Sequence, residues 1–355
     1  MQITDLKFEK IRIKLKKPFV VALGTIEYCE TVIVKITTDE GYYGYGEGAP
    51  FSPVTGESLD TVLLALQSFK GLIIGQDPLA IERIHYIMDR AIIGNTAAKA
   101  AVDIALYDIK GKVMNAPLYK VLGGFDNKVQ TDMTIGIASP KEMAEAAKEK
   151  VAEGFRILKI KAGIAPENDI EAIKLIREAV GNSIRLRMDA NQGWGVNDAV
   201  RTSKALEQYG VEAIEQSLPY WNIDGAALIR KKTNIKVMLD ETIHNPNDAL
   251  KAVTKEAADI LNIKLMKSSG LYNAIKINAI AEAAGINCML GCMLETRVAI
   301  TAAASLVAAK RNITEADLDS FMYCQESEVI KGGFTLEGDI ITLSDKPGLG
   351  IDVNI

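Results

Sequence analysis

The chain has 355 residues, 48% of them hydrophobic, and a net charge of −5; that length exceeds one ordinary domain and suits a barrel of roughly 250 residues with a smaller companion. With no basic run in either half, the acidic balance argues against nucleic acid and anionic membrane as partners. The charged opening MQITDLKFEKIRIK lacks the apolar stretch of a signal peptide, and the longest apolar region is broken by Glu295, Arg297 and Lys310 before it could span a bilayer.

In chain order, apolar and polar residues alternate in ITDLKFEKIRIKL and ETVIVKIT, which predicts two strands, and YYGYGEG predicts a third with tight turns. Helical spacing follows near 58–70, 78–91 and 97–114, with Asn95 and Thr96 as cap candidates and Gly123 and Gly124 as stop signals. These segments define an α+β unit over residues 1–125. The GYGEG stretch invites a phosphate-loop reading, but Pro50 follows where that fingerprint requires a helix, so its glycines are assigned to turns.

From Gln130 the pattern becomes strand and helix in alternation. TDMTIGI is the first strand, Ser139-Pro140 opens the helix MAEAAKEKVAEG, and the unit recurs at FRILKIK, IRLRMD, VEAIE, KVMLD, DILNIK and INCML. DLDSFMY is read as an eighth strand. The prediction is an α/β chain with a (β/α) barrel of the TIM type over 126–325, and the strand-like, turn-rich 326–355 returning to the N-terminal unit. With no low-complexity linker between them, the two units are expected to pack together.

Five of the barrel strands end in a charge: Lys161, Asp189, Glu215, Asp240 and Lys264, at steps of 28, 26, 25 and 24 residues. A parallel barrel gathers the carboxyl ends of its strands on one face, so these charges form one cluster. A single strand-end carboxylate is most simply a salt-bridge partner. Three on successive strands are costly together unless a cation neutralises them, and an oxygen-only donor set suits Mg²⁺. The chain holds only His85 and His244, so zinc sites built on three histidines are excluded and proton transfer falls to Lys, Asp, Glu or Tyr. Lys159 and Lys161 are two apart on a strand and face the same way; like-charge repulsion is expected to lower the pKa of one, making it a base. Lys264 lies four strands on, half-way round the ring, and faces Lys161 across the substrate. Cys29, Cys288, Cys292 and Cys324 show no paired spacing, so a reducing cytoplasm is the expected compartment.

KIKAG, MDANQGW, IEQ, LDE and NIKLMK resemble the motifs of the enolase superfamily in its muconate-lactonizing branch, and Asp317-Leu318-Asp319 resembles the dipeptide epimerase (L-Ala-D/L-Glu epimerase) family. KPF and ALGTI near 17–26 and KPGLGI at 346–351 fit as well. The resemblance implies a capping domain, completed by the C-terminal segment, over a modified (β/α)₇β barrel. It implies one Mg²⁺ per chain on Asp189, Glu215 and Asp240, with Lys161 and Lys264 as the acid/base pair and Lys159 assisting. Asp317 and Asp319 would hold the ammonium of a dipeptide. Thr134, Glu295 and Thr296 are further candidates on the substrate side. At Gly24 the Ala-Glu epimerases carry an arginine for the glutamate side chain, so the identity of the second residue stays open. The implied reaction is epimerisation of the C-terminal residue of a dipeptide through an enediolate, with L-Ala-D/L-Glu from murein peptide as the leading substrate. The alternatives are an o-succinylbenzoate synthase, an N-acylamino acid racemase, or a non-catalytic binding protein on the same barrel. Homo-oligomer formation is left open.

Overall fold

The alternating N-terminal segments pair as an antiparallel sheet of β1 (Ile3–Val21), β2 (Gly24–Thr38) and β3 (Tyr43–Gly48), in a computed structural model that describes residues 1–22, 24–325 and 329–354. Val32, Ile33 and Val34 are all buried. Because successive strand side chains point to opposite faces, this part of β2 is covered on both sides. Helices α1 (Ser52–Thr55), α2 (Leu59–Ile73), α3 (Ile81–Ala91), α4 (Thr96–Val113) and α5 (Leu118–Leu122) follow. The glycines of GYGEG serve close packing rather than turns. A Cβ on Gly46 would sit 1.9 Å from the Ala101 carbonyl oxygen of α4, so only glycine lets strand and helix approach this closely.

After β4 (Lys128–Gln130) come eight strands, each parallel to the next. They are β5 (Met133–Ile135), β6 (Ile157–Lys161), β7 (Arg185–Asp189), β8 (Val211–Glu215), β9 (Lys236–Leu239), β10 (Ile260–Lys264), β11 (Asn287–Gly291) and β12 (Ile313–Asp317). Asp132 N donates to Ala316 O at 3.1 Å, joining the two edges of this sheet. Helices α6 (Pro140–Ala152), α7 (Pro166–Val180), α8 (Val196–Leu206), α9 (Ile223–Lys232) and α10 (Pro246–Thr254) follow β5 to β9 in turn. A one-turn α11 (Leu265–Ser268) and α12 (Leu271–Ala283) follow β10, and α13 (Arg297–Ala309) follows β11. The expected start of α6 is a capping box, with Ser139 Oγ accepting from Glu142 N and Pro140 in the first turn.

One strand is displaced from its expected place. The eighth strand is ITEAD, not DLDSFMY: Asp317 is its last residue, and Ser320–Tyr323 forms the short α14. Thr314 and Glu315 disguise the strand in the sequence, whereas the apolar residues of DLDSFMY belong to a helical turn tied down by the Tyr323 hydroxyl on Asp319, 2.7 Å away.

The chain ends in two small antiparallel sheets. β13 (Ile330–Gly332) pairs with β16 (Ile351–Val353), and the β14 (Phe334–Glu337) and β15 (Ile340–Leu343) hairpin adds to β4. Within KPGLGI, Leu349 N donates to Asp108 Oδ1 of α4 at 2.8 Å, and Gly348 O accepts from Leu118 N at 2.8 Å. Residues 326–328 and 355 of the returning segment, and Leu23 of ALGTI, lie outside the described residues. Among the described residues, no helix is long and apolar enough to cross a membrane.

Candidate active site

Strand register brings the predicted charges together. Lys161 pairs with Asp189 and Asp189 with Glu215 across β6, β7 and β8, while Lys264, Gly291 and Asp317 are aligned across β10, β11 and β12. Lys159 Nζ sits among three carboxylates, 3.0 Å from Asp189 Oδ2, 2.9 Å from Glu215 Oε2 and 2.8 Å from Asp317 Oδ2. Lys161 Nζ is 2.7 Å from Asp189 Oδ2 and donates to Asn191 Oδ1 at 3.0 Å. Across the barrel, Lys264 Nζ is 2.8 Å from Asp240 Oδ2. These side chains are all buried, and Lys159, Lys161, Asp240, Lys264 and Asp317 line a cavity of about 390 Å³ to which Tyr28, Phe51 and Val54 of the N-terminal unit also contribute.

The sequence reading missed several groups here. Lys267, fully buried on the one-turn α11, reaches back to Asp240 Oδ1 at 2.5 Å and also donates to the Asp240 carbonyl. The second lysine of NIKLMK was its only signal. Asn262 Nδ2 donates to Glu215 Oε1 at 2.7 Å. Glu241, next to Asp240, is buried with Oε2 unpartnered among the described residues.

Carboxylates lie against both Lys159 and Lys264. Burial opposes their charge, but Asp189, Asp317 and Glu215 outweigh it at Lys159, and Asp240 and Glu215 at Lys264, raising both. Among the acids, burial raises and the ammoniums lower. Lys159 and Lys161 win at Asp189, bringing it to about 2. Burial and the neighbouring Asp189 win at Glu215, pushed up to about 8. Glu241 rises to about 7 through burial and Asp240.

The cluster fits a hard dication. Its donors are carboxylate oxygens, a lysine ammonium already occupies the middle of three of them, and Glu241 Oε2 is buried without a partner. A softer site is not supported: Cys292 Sγ comes within 4.8 Å of Asp317 and Asp319 oxygens, but burial pushes its thiol well above the usual range.

The remaining candidates divide. Asp317 and Asp319 line the cavity with Thr134. Asp319 Oδ2 accepts from Thr134 N and the Tyr323 hydroxyl, both at 2.7 Å, and burial with the Asp317 charge raises it to about 6. Glu295 lies behind the cavity wall, 0% exposed, with Oε1 accepting from Met293 N at 2.9 Å. Thr296 is taken up elsewhere: its hydroxyl donates to Glu47 Oε2 at 2.7 Å and its oxygen caps α13. Gly24 is at the β1–β2 hairpin tip with φ +141° and nothing within 4 Å of a Cβ built there.

A capped parallel barrel with carboxylates set between lysines on facing strands defines an enolase-type protein. The family model for the mandelate racemase / muconate lactonizing enzyme N-terminal domain matches residues 3–123, and the enolase C-terminal domain-like model matches 142–354. The chain belongs to this family within the enolase superfamily. It is 47% identical to a hydrophobic dipeptide epimerase of Enterococcus faecalis, over 99% of each chain. To an L-Ala-D/L-Glu epimerase of Clostridium acetobutylicum it is 44% identical, again over 99% of each. The solved Enterococcus faecalis dipeptide epimerase, complexed with Mg and L-Leu-L-Tyr, superposes with a TM-score of 0.97, covering 99% of this chain and 100% of that one.

Proposed function

We propose that the chain is a Mg²⁺-dependent dipeptide epimerase, an isomerase that inverts the α-carbon of the C-terminal residue by proton transfer between two lysines. The observation that carries this is the placement of Lys161 and Lys264 on β6 and β10, half-way round the barrel from each other and fixed to different carboxylates, Asp189 and Asp240. One carbon held between them exposes each face to one amine.

In this reading Asp189, Glu215 and Asp240 hold Mg²⁺. When bound, the ion supplies positive charge that favours the loss of an α-proton beside a carboxylate and competes with the ammoniums for these oxygens. One lysine takes the proton, and its counterpart returns one to the opposite face. Lys159, 2.8–3.0 Å from Asp189, Glu215 and Asp317, holds those carboxylates in place. Asp317 and Asp319 receive the ammonium of the N-terminal residue by charge-assisted hydrogen bonds. That pair favours a dipeptide over an N-acylamino acid or o-succinylbenzoate precursor, which brings no cation to it. Residues 1–125 with the C-terminal segment form the cover and 126–325 the catalytic barrel. The named relatives share this reaction across different side chains, L-Ala-D/L-Glu among them.

Incubating the protein with dipeptides and Mg²⁺ in D₂O tests the proposal by NMR. Deuterium should enter at the α-carbon of the C-terminal residue and vanish with excess chelator. Full exchange in chelator, or faster exchange of N-acylamino acids than of any dipeptide, would sink it.

A further inference from the structure

The wall of the cavity opposite the catalytic strands speaks to the dipeptide's second side chain. Ile26 on β2, Phe51 and Val54 around α1, and Met293 and Leu294 after β11 form an apolar lining. Among the described lining residues the cations are Lys159, Lys161 and Lys264, and each is bound to carboxylates at 2.7–3.0 Å. None is free for an acidic side chain. Two carboxylates also reach this wall, and both are engaged. Glu57 accepts from Ala97 N at 2.8 Å and Ala98 N at 3.2 Å at the start of α4, and Glu30 pairs with Arg12 at 3.1 Å. A buried substrate carboxylate would meet apolar groups and engaged acids. A substrate ammonium would have to displace an existing partner. An aliphatic or aromatic side chain removes its own surface and that of the lining from water at no such cost.

Resting on the epimerase reading above, we infer that the residue epimerised carries an uncharged apolar side chain, and that Ile26 with Phe51 selects it. A cation beside this wall but outside the lining is Arg12, whose guanidinium lies 3.8 Å over the Tyr28 ring while paired to Glu30. It provides the strongest competing route to an acidic substrate, so the test includes it.

The experiment compares kcat/KM for L-Ala-L-Leu, L-Ala-L-Phe, L-Ala-L-Lys and L-Ala-L-Glu, using the Mg²⁺-loaded full chain and α-proton exchange as the readout. The apolar pair should exceed L-Ala-L-Glu by about 100-fold, since the acid must be buried unpaired. Ile26→Arg should narrow that ratio by about tenfold by supplying a cation, and an unchanged ratio would remove Ile26 from the selecting wall. L-Ala-L-Glu exchanging as fast as the apolar pair overturns the inference while leaving the epimerase reading intact. If that fast exchange is lost in Arg12→Ala, Arg12 is the acid's partner. L-Ala-L-Lys fastest of the four overturns it in favour of a cation site. Exchange of no dipeptide removes the reaction itself, and the inference with it.

Discussion

Glu295→Gln is the substitution whose outcome the structure defines most sharply. Glu295 is 0% exposed, accepts one hydrogen bond from Met293 N, and leaves Oε2 unpartnered among the described residues. Burial, and then repulsion from Glu47, push its carboxyl from the ordinary 4.5 to about 8. The folded chain therefore keeps this proton over a range in which the unfolded chain has released it. Stability from the neutral acid is fully present below about 4.5 and is lost as pH rises through about 8. Each unit of that window corresponds to about 1.4 kcal/mol, so the whole effect is roughly 5 kcal/mol. Glutamine is neutral throughout and escapes the loss. Urea unfolding of both proteins, in chelator, should show the variant gaining on the parent from pH 5 to 8 and level above that. The missing partner at Oε2 is common to both side chains and adds only a constant. A stability difference that does not change across the window would refute the buried neutral acid.

Lys267→Met should lower stability by about 3 kcal/mol, because it breaks a buried pair and leaves an Asp240 oxygen without its ammonium; an unchanged urea midpoint would show that the contact carries no stability. Lys161→Ala and Lys264→Ala should each abolish interconversion yet retain α-proton exchange of one stereoisomer, a different one in each, and a variant still epimerising at the parent's rate was never missing a base. Replacing Asp317 and Asp319 together by asparagine should weaken dipeptides at least about tenfold more than their N-acetylated forms, since the lost contact is to a cation; equal loss on both classes would move the reading to N-acylamino acids.

The candidate cluster was legible because a parallel barrel turns a step of 24–28 residues in the sequence into adjacency in space, and five of the strands end in or directly before a charge. Groups outside the barrel strands escaped this rule. Lys267 follows a strand by three residues and reaches Asp240 only because α11 makes one helical turn. Glu47 sits in a stretch whose glycines drew attention, while its role is to accept from Thr296 and Ala299 at the start of α13. The eighth strand was misplaced because apolar residues mark burial rather than strand, and DLDSFMY is a buried loop followed by a half-buried helix turn. The carboxylates around Lys159 were not legible because a strand pattern shows neighbours along the chain, whereas Asp189, Glu215 and Asp317 arrive from three other strands.

Those carboxylates explain why the site is built with so many lysines. Asp189, Glu215, Asp240, Glu241, Asp317 and Asp319 are six buried acids, against four buried ammoniums on Lys159, Lys161, Lys264 and Lys267. Without a further cation, burial and then the neighbouring carboxylates raise Glu215 to about 8, Glu241 to about 7 and Asp319 to about 6. A dipeptide cannot balance the excess, because it brings one carboxylate and one ammonium. A dication can, because two further positive charges bring four ammoniums level with six carboxylates. The same arithmetic limits specificity: each cation inside the barrel is committed to an acid, so an additional charge on the substrate has to be met by the cover. Ile26, Phe51 and Val54 offer none, so on the proposed reading the choice of side chain rests with the N-terminal unit while the chemistry rests with the barrel.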